Sequence, residues 1–302
     1  MSENRVSRRT LLAAAGAAAP AAAAQAAGAA AQTAGAGASL GGRPNSGLLE
    51  IVTTYRFEPH EVEQIQEAAA GHAKVNITIC ANRDEYRQKL RDAEVVYGGM
   101  NGADLDYAPK LKWVQSGGAG VEGMDDKFIR SPIVLTNYAR TFAPGISETA
   151  IGMLLVLSRG IVRYYLPQFY LKKTNNPLGT PKSEHHVELV GRTMGIVGMG
   201  GIGSEIARRA HFGLDMRIIA TDPKPMAKPY YVAELHDPSF FPKMASQVDV
   251  LVAAAPHTRQ TEKMFNEKIF RSMKPAAYFL AMSRGKLFDD VALTRALKER
   301  WI

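Results

Sequence analysis

The chain has 302 residues, a formal net charge of +8 at pH 7 and an apolar fraction of 46%, which excludes a disordered polypeptide and leaves room for one large or two ordinary domains. The basic excess is dispersed, with neither a Lys/Arg block nor an interleaved aromatic platform, so no nucleic-acid partner is expected. The single cysteine, Cys80, excludes an internal disulfide and a cysteine-based metal centre.

At the N-terminus, Ser7-Arg8-Arg9-Thr10-Leu11-Leu12 opens an alanine-dominated run to Ala31. A basic start, a mildly apolar middle and small residues suited to cleavage resemble a twin-arginine export signal over residues 1–31. A periplasmic mature protein is therefore expected, with a cytoplasmic one as the alternative. The run is too short and too weakly apolar to span a bilayer, and no later segment supplies the ~20 apolar residues required, so no membrane association is expected after its removal. Loss of Arg5, Arg8, Arg9 and Glu3 lowers the net charge from +8 to +6. Residues 32–47, rich in Gly, Ala, Ser and Pro, read as a flexible linker.

From residue 48 strand-like and helix-like segments alternate, the pattern of a parallel α/β sheet. Residues 49–54 read as a strand, 59–70 as a helix, 75–80 as a strand and 83–92 as a helix. Residues 94–97, 111–115 and 133–137 read as extended. Together they predict a small flavodoxin-like domain over residues 48–141. Pro144 opens a long apolar helix leading into a second domain, residues 142–302, with the boundary falling at residues 141–144.

The second domain carries the most informative stretch, in which the apolar strand around Met194-Gly195-Ile196-Val197 runs into Gly198-Met199-Gly200-Gly201-Ile202-Gly203. In G-x-G-x-x-G the glycines have separate tasks: Gly198 makes the tight turn, Gly200 admits a pyrophosphate to the backbone, and Gly203 lets the following helix pack closely. The helix, residues 202–212, is expected to end at Gly213 as a left-handed cap, and its N-terminal dipole favours an anion. A strand at 216–221 then delivers Asp222 at about the 20-residue offset where an acid meets the adenosine ribose. Because a carboxylate accepts from a 2′-hydroxyl and repels a 2′-phosphate, the expected cofactor is NAD and not NADP, although Lys224 is close in sequence. A strand at 248–255 closes on Pro256. A helix at 266–272, the turn Met273-Lys274-Pro275 and a strand at 278–281 lead to Ser283-Arg284-Gly285. An arginine at the carboxyl end of a parallel strand stands where ligands bind in such sheets, and its planar fork suits a carboxylate and an adjacent carbonyl.

From about Tyr55 onward the chain resembles the D-isomer-specific 2-hydroxyacid dehydrogenases. The matching motifs run in order: Leu111-Lys112-Trp113-Val114-Gln115-Ser116-Gly117-Gly118-Ala119-Gly120-Val121-Glu122; Leu135-Thr136-Asn137 with Ala143-Pro144-Gly145-Ile146-Ser147-Glu148; Pro256-His257-Thr258-Arg259-Gln260-Thr261; and Met282-Ser283-Arg284-Gly285. The resemblance implies an α/β protein of two Rossmann-like or flavodoxin-like parallel-sheet domains, and hydride transfer between NAD(H) and C2 of a small 2-oxo or D-2-hydroxy acid. It implies that Ala119 and Gly120 offer amides to the substrate carboxylate and that Arg284 binds the carboxylate and the 2-oxo oxygen. Gly201 and Ile202 amides would meet the pyrophosphate, Asp222 the ribose, and Pro256, Thr261, Met282 and Ser283 the rest of the cofactor. A homodimer is implied too, with the helix at 146–165 contributing.

In the family an aspartate, a glutamate and the proton-exchanging histidine follow the arginine, and residue 302 precedes all three. The expectation is a fragment of a longer enzyme whose nucleotide domain is incomplete at its C-terminal end. Ala281 stands where the family usually has asparagine. His257 falls on the cofactor-lining loop, where a hydrogen-bonding role is expected, and His60, His185 and His186 form no metal pair. Two other functions fit the same residues: a noncatalytic NAD-binding or sensing module, and a formate-type dehydrogenase, which is disfavoured because its substrate-loop asparagine is not evident at residues 117–122.

Overall fold

The computed structural model describes residues 48–70, 72–120, 125–171 and 186–302, so the export-signal and linker expectations, together with His185, Val121 and Glu122, lie outside the described residues. The chain divides between Thr141 and Phe142 into two compact units.

The first unit runs β1 (Leu48–Thr53), α1 (Pro59–Ala69), β2 (Lys74–Ile79), α2 (Arg83–Lys89), β3 (Val95–Tyr97), β4 (Trp113–Gln115), α3 (Asp126–Ile129) and β5 (Val134–Thr136). All pairings are parallel and the order is β2-β1-β3-β4-β5. Val52, Val96 and Val114 on the central strands are buried against Tyr86, Leu90 and Phe128. The Asn82 side chain caps α2 by accepting from the amides of Asp84 and Glu85. The expected helix at 83–92 stops at Lys89, because Leu90 is drawn wholly into the core and the chain turns there.

Asp104 has no solvent exposure and pairs with Arg83, with the Arg87 Nε at 3.7 Å, while its Oδ2 also accepts from the Asn101 amide at 3.2 Å. Both guanidiniums remain partly hydrated, so removing the acid strands no buried cation but deletes a charged hydrogen bond and the capping contact to Asn101 at the start of the short helical turn Gly102–Tyr107. Asp104→Ala is expected to destabilise the first unit by about 2–3 kcal/mol, read as a lower urea midpoint with an unchanged slope.

The second unit runs α4 (Ala143–Ser158), α5 (Leu166–Leu171), β6 (Thr193–Val197), α6 (Gly201–Leu214), β7 (Arg217–Thr221), β8 (Glu234–His236), α7 (Phe241–Gln247), β9 (Val250–Ala253), α8 (Glu267–Ser272), β10 (Tyr278–Ala281) and α9 (Asp290–Lys298). The sheet is again parallel throughout, in the order β10-β9-β6-β7-β8. With β6 as its first strand this is 3-2-1-4-5, the doubly wound order, and it reverses between β6 and β9. Met194, Ile196, Ile218, Ile219 and residues Val250 to Ala253 are buried on both faces of the sheet, which is why these strands read as continuous apolar runs.

Two expected boundaries are corrected. The helix after the glycines continues past Gly213 to Leu214, and the left-handed position is taken by Asp215, with φ +49°. Its carbonyl accepts the Gly191 amide at 3.0 Å, so a tertiary contact fixes the helix end. The expected helix at 146–165 is interrupted at Gly160, φ +62°, where a single wide turn, Ile161–Tyr165, leads into α5.

Candidate active site

The parallel register places four strand ends in one row. Thr221, Val197, Ala253 and Ala281 pair side by side across β7, β6, β9 and β10. The next residues of these strands, Asp222, Gly198, Ala254 and Met282, therefore leave the sheet together at its carboxyl edge, around the switch point. The structure thus gathers Gly198, Gly200, Gly201, Ile202, Gly203, Asp222, Pro256, Thr261, Met282, Ser283 and Arg284 on one edge of the second unit.

The three glycines of the turn meet three different constraints. Gly198 has φ +97°, and a Cβ there would stand 2.8 Å from the Ala255 Cα and nitrogen. The motif foretold the turn; the second restriction, from the backbone leaving β9, comes from the sheet order. A Cβ on Gly203 would collide with the Gly198 carbonyl oxygen and lie 3.2 Å from Ile196 Cγ2, so α6 sits directly on the turn it follows. At Gly200 a Cβ meets nothing within 4 Å. Gly200 is the N-cap of α6, has no capping side chain, and is followed by a first turn without acidic residues. The helix dipole and the orphan N–H groups of that turn, Gly201 and Ile202 included, suit an anion, and the open space beside Gly200 leaves room for one.

Asp222 has a role that sequence reasoning missed. Its Oδ2 accepts from the Met199 amide at 2.8 Å and its Oδ1 from the Lys224 amide at 2.8 Å. The carboxylate thereby ties the end of β7 to the middle of the glycine turn, and each oxygen keeps a lone pair for a further donor such as a ribose hydroxyl. Ser204 Oγ completes the turn by donating to the Met199 carbonyl at 2.8 Å.

On the other side of the switch point, the loop at residues 256–261 is closed by Thr261, whose hydroxyl donates to the Pro256 carbonyl and accepts from the Thr258 amide, both at 2.8 Å. Met282 donates its amide to Ala253 at 2.9 Å, and beyond the loop Lys263 and Phe265 donate theirs to Lys286 and Leu287. The segments carrying Thr261 and Arg284 are thus stitched to each other. Arg284 is exposed and immediately precedes a short turn, Gly285–Leu287. Ser283 Oγ is buried without a hydrogen-bond partner. His257 Nε2 is buried 3.6 Å from Glu262 Oε2.

Ala119 and Gly120 belong to the first unit. Their loop follows β4 at the carboxyl edge of that sheet, where Asn137 Nδ2 donates to the Ala119 carbonyl at 2.8 Å and the Tyr138 amide to Gly118 at 3.1 Å. The carbonyls are held from the β5 side. Among the described residues no three His, Cys, Asp or Glu side chains gather as a metal site, and no helix is long and apolar enough to cross a membrane.

Residues 151–302 match the family model of the D-isomer specific 2-hydroxyacid dehydrogenase NAD binding domain. A glyoxylate reductase from Pyrococcus furiosus is 33% identical over 230 residues, covering 73% of this chain and 67% of the relative. Among solved structures, a D-isomer specific 2-hydroxyacid dehydrogenase family protein from Aeromonas salmonicida superposes with TM-score 0.67 at 26% identity, covering 85% of this chain and 79% of that one. An NADPH-dependent glyoxylate/hydroxypyruvate reductase from Sinorhizobium meliloti, solved with NADP and malonate, gives TM-score 0.65 at 25% identity, with coverage of 84% and 77%. Doubly wound sheet, glycine turn, acid-clamped β7 and family match agree: the chain belongs to the D-isomer-specific 2-hydroxyacid dehydrogenase family, oxidoreductases that transfer hydride with a nicotinamide dinucleotide.

Proposed function

We propose that the protein reduces a small 2-oxo acid of the glyoxylate and hydroxypyruvate class to its D-2-hydroxy acid with NADH. The observation that carries this reading is the row of Asp222, Gly198, Ala254 and Met282 at the switch point, which supports a dinucleotide site on the edge whose chain runs on to Arg284. When bound, the nicotinamide would supply the hydride to C2, and the proton that completes the hydroxyl comes from water or from the histidine that follows the arginine in this family. Gly201 and Ile202 amides hold the pyrophosphate, Asp222 the ribose, and the loop at 256–261 with Met282 and Ser283 orients the ring. Arg284 binds the acid and draws electron density from the 2-oxo oxygen. NADH oxidation with a panel of glyoxylate, hydroxypyruvate, pyruvate and bulkier 2-oxo acids tests the proposal. NADH binding without turnover of any of them would instead mark a cofactor-sensing module.

The preference for NAD rests on Asp222, whose carboxylate repels a 2′-phosphate. Asp222→Ala is expected to weaken NADH binding by about 10–100-fold, the value of a charged hydrogen bond, with the turn freed at Met199 contributing. NADPH binding is expected to fall far less, so the NADH/NADPH affinity ratio, measured by fluorescence titration, narrows.

A homodimer is supported by the apolar surface around α4 and α5, where Phe169 and Tyr170 are 75% and 76% exposed and Val162 is 59% exposed, more than a solitary surface usually leaves in water. Phe169→Glu is expected to shift the protein to monomer in sedimentation velocity. Export is supported by Arg8 and Arg9; a reporter fusion that stays cytoplasmic both before and after their change to lysine would refute it.

A further inference from the structure

At the opposite, amino edge of the same sheet the second unit holds a cleft of about 380 Å³, lined by Arg192, Asp249, Lys274 and Tyr278 together with apolar residues such as Val187 and Leu189. Two turns shape it. Gly191, φ +71°, precedes Arg192 at the entry to β6, and Ala276, φ +61°, precedes β10. A left-handed alanine costs about 1–2 kcal/mol, and here it bends the chain so that Lys274 and Tyr278 border the same space.

The charges in this cleft do not cancel. Asp249 Oδ2 accepts the Thr193 amide at 2.8 Å, and its Oδ1 is shared by Lys274 Nζ at 3.1 Å and Arg192 Nη1 at 3.4 Å. Burial pushes this carboxyl up, but the Thr193 amide, Lys274 and Arg192 more than reverse that and hold it below the usual carboxylate range, so it stays ionised. The acid is only 18% exposed, against 49% for Arg192 and 42% for Lys274. One carboxylate capping β6 needs one cation; the second leaves a positive excess on the open side. Among the described residues Arg192 makes hydrogen bonds only through Nε to the Glu188 carbonyl and Nη1 to Asp249, which leaves its Nη2 donors for a ligand on a side chain that is half exposed.

We propose that this cleft binds a small organic monoanion, a carboxylate carried on an apolar or aromatic body, at a site separate from the cofactor edge. Arg192 and Lys274 take the carboxylate, and Val187, Leu189 and the Tyr278 ring take the body. A phosphate is disfavoured, because the net excess is a single charge and most of the lining is apolar.

The probe is 4-fluorobenzoate, followed by 19F NMR line broadening on the full chain at constant ionic strength. Saturable binding is expected at or below about 10 mM, in keeping with a ligand of ten heavy atoms. Arg192→Gln and Lys274→Met are each expected to weaken it about tenfold, the loss of one charge-assisted hydrogen bond. Val187→Trp, which fills the cleft and keeps both charges, is expected to abolish it, and NADH binding serves as the folding control for all three. Arg284→Ala is expected to leave the probe's affinity unchanged. No saturable binding to the unaltered protein, or binding that survives Val187→Trp and is lost in Arg284→Ala, would overturn the proposal.

Discussion

Arg284→Lys is expected to lower kcat/KM for glyoxylate by about 10²–10³-fold, in line with the loss of one preorganised oxyanion donor. Lysine keeps the charge but replaces a planar fork with a point donor, so it cannot hold a carboxylate in two parallel bonds while a third donor meets the 2-oxo oxygen. The loss therefore falls on substrate orientation and polarisation and leaves the cofactor untouched. Binding of oxalate, an unreactive mimic, should weaken in parallel, while NADH affinity stays within about twofold, a change of under 0.5 kcal/mol. Substrate effects are expected to be confined to Arg284 because its backbone is fixed from two sides: Met282 is pinned to Ala253 just before it, and Leu287 receives the Phe265 amide just after it. Unchanged kcat/KM, with folding intact by circular dichroism, would remove Arg284 from the reaction.

Much of the second unit was legible because its central strands are buried on both faces, which writes them as unbroken apolar runs, and because its turn needs glycine at Gly198 and Gly203, where a Cβ would meet backbone. What sequence could not give were contacts that close in three dimensions. The clamp from Asp222 to Met199 joins residues 23 positions apart; the spacing shows an acid near a ribose but not an acid holding the glycine turn. The end of α6 was misplaced because Gly213 is the cheaper left-handed residue locally, yet the contact between Asp215 and Gly191 decides where the helix stops. β8 went unseen: Glu234–His236 is three half-buried residues on an edge, too short and too polar for a strand pattern. In the first unit the Gly118 to Gly120 loop was placed by resemblance, while its bracing by Asn137 and Tyr138 depends on β4 and β5 being neighbours.

The glycine turn allows stability and cofactor binding to be separated, since two of its residues respond oppositely to the same added methyl group. In Gly203→Ala the new Cβ meets the Gly198 carbonyl, a backbone atom at a strand end that is itself held by the Gly198 amide bond to Thr221 at 2.8 Å. Neither side can yield without lifting α6 from β6, so the second unit should lose about 2–4 kcal/mol, at or somewhat above the usual cost of overpacking. That corresponds to a Tm fall of about 5–15 °C for a domain of this size. In Gly200→Ala the Cβ enters empty space at φ −67°, a backbone conformation that alanine adopts. The Tm should stay within about 1 °C, whereas NADH affinity should drop at least about tenfold, because the methyl occupies the room through which a pyrophosphate reaches the helix amides. If Gly200→Ala bound NADH normally, the open face of Gly200 would not be the phosphate site, whatever happened to stability in Gly203→Ala.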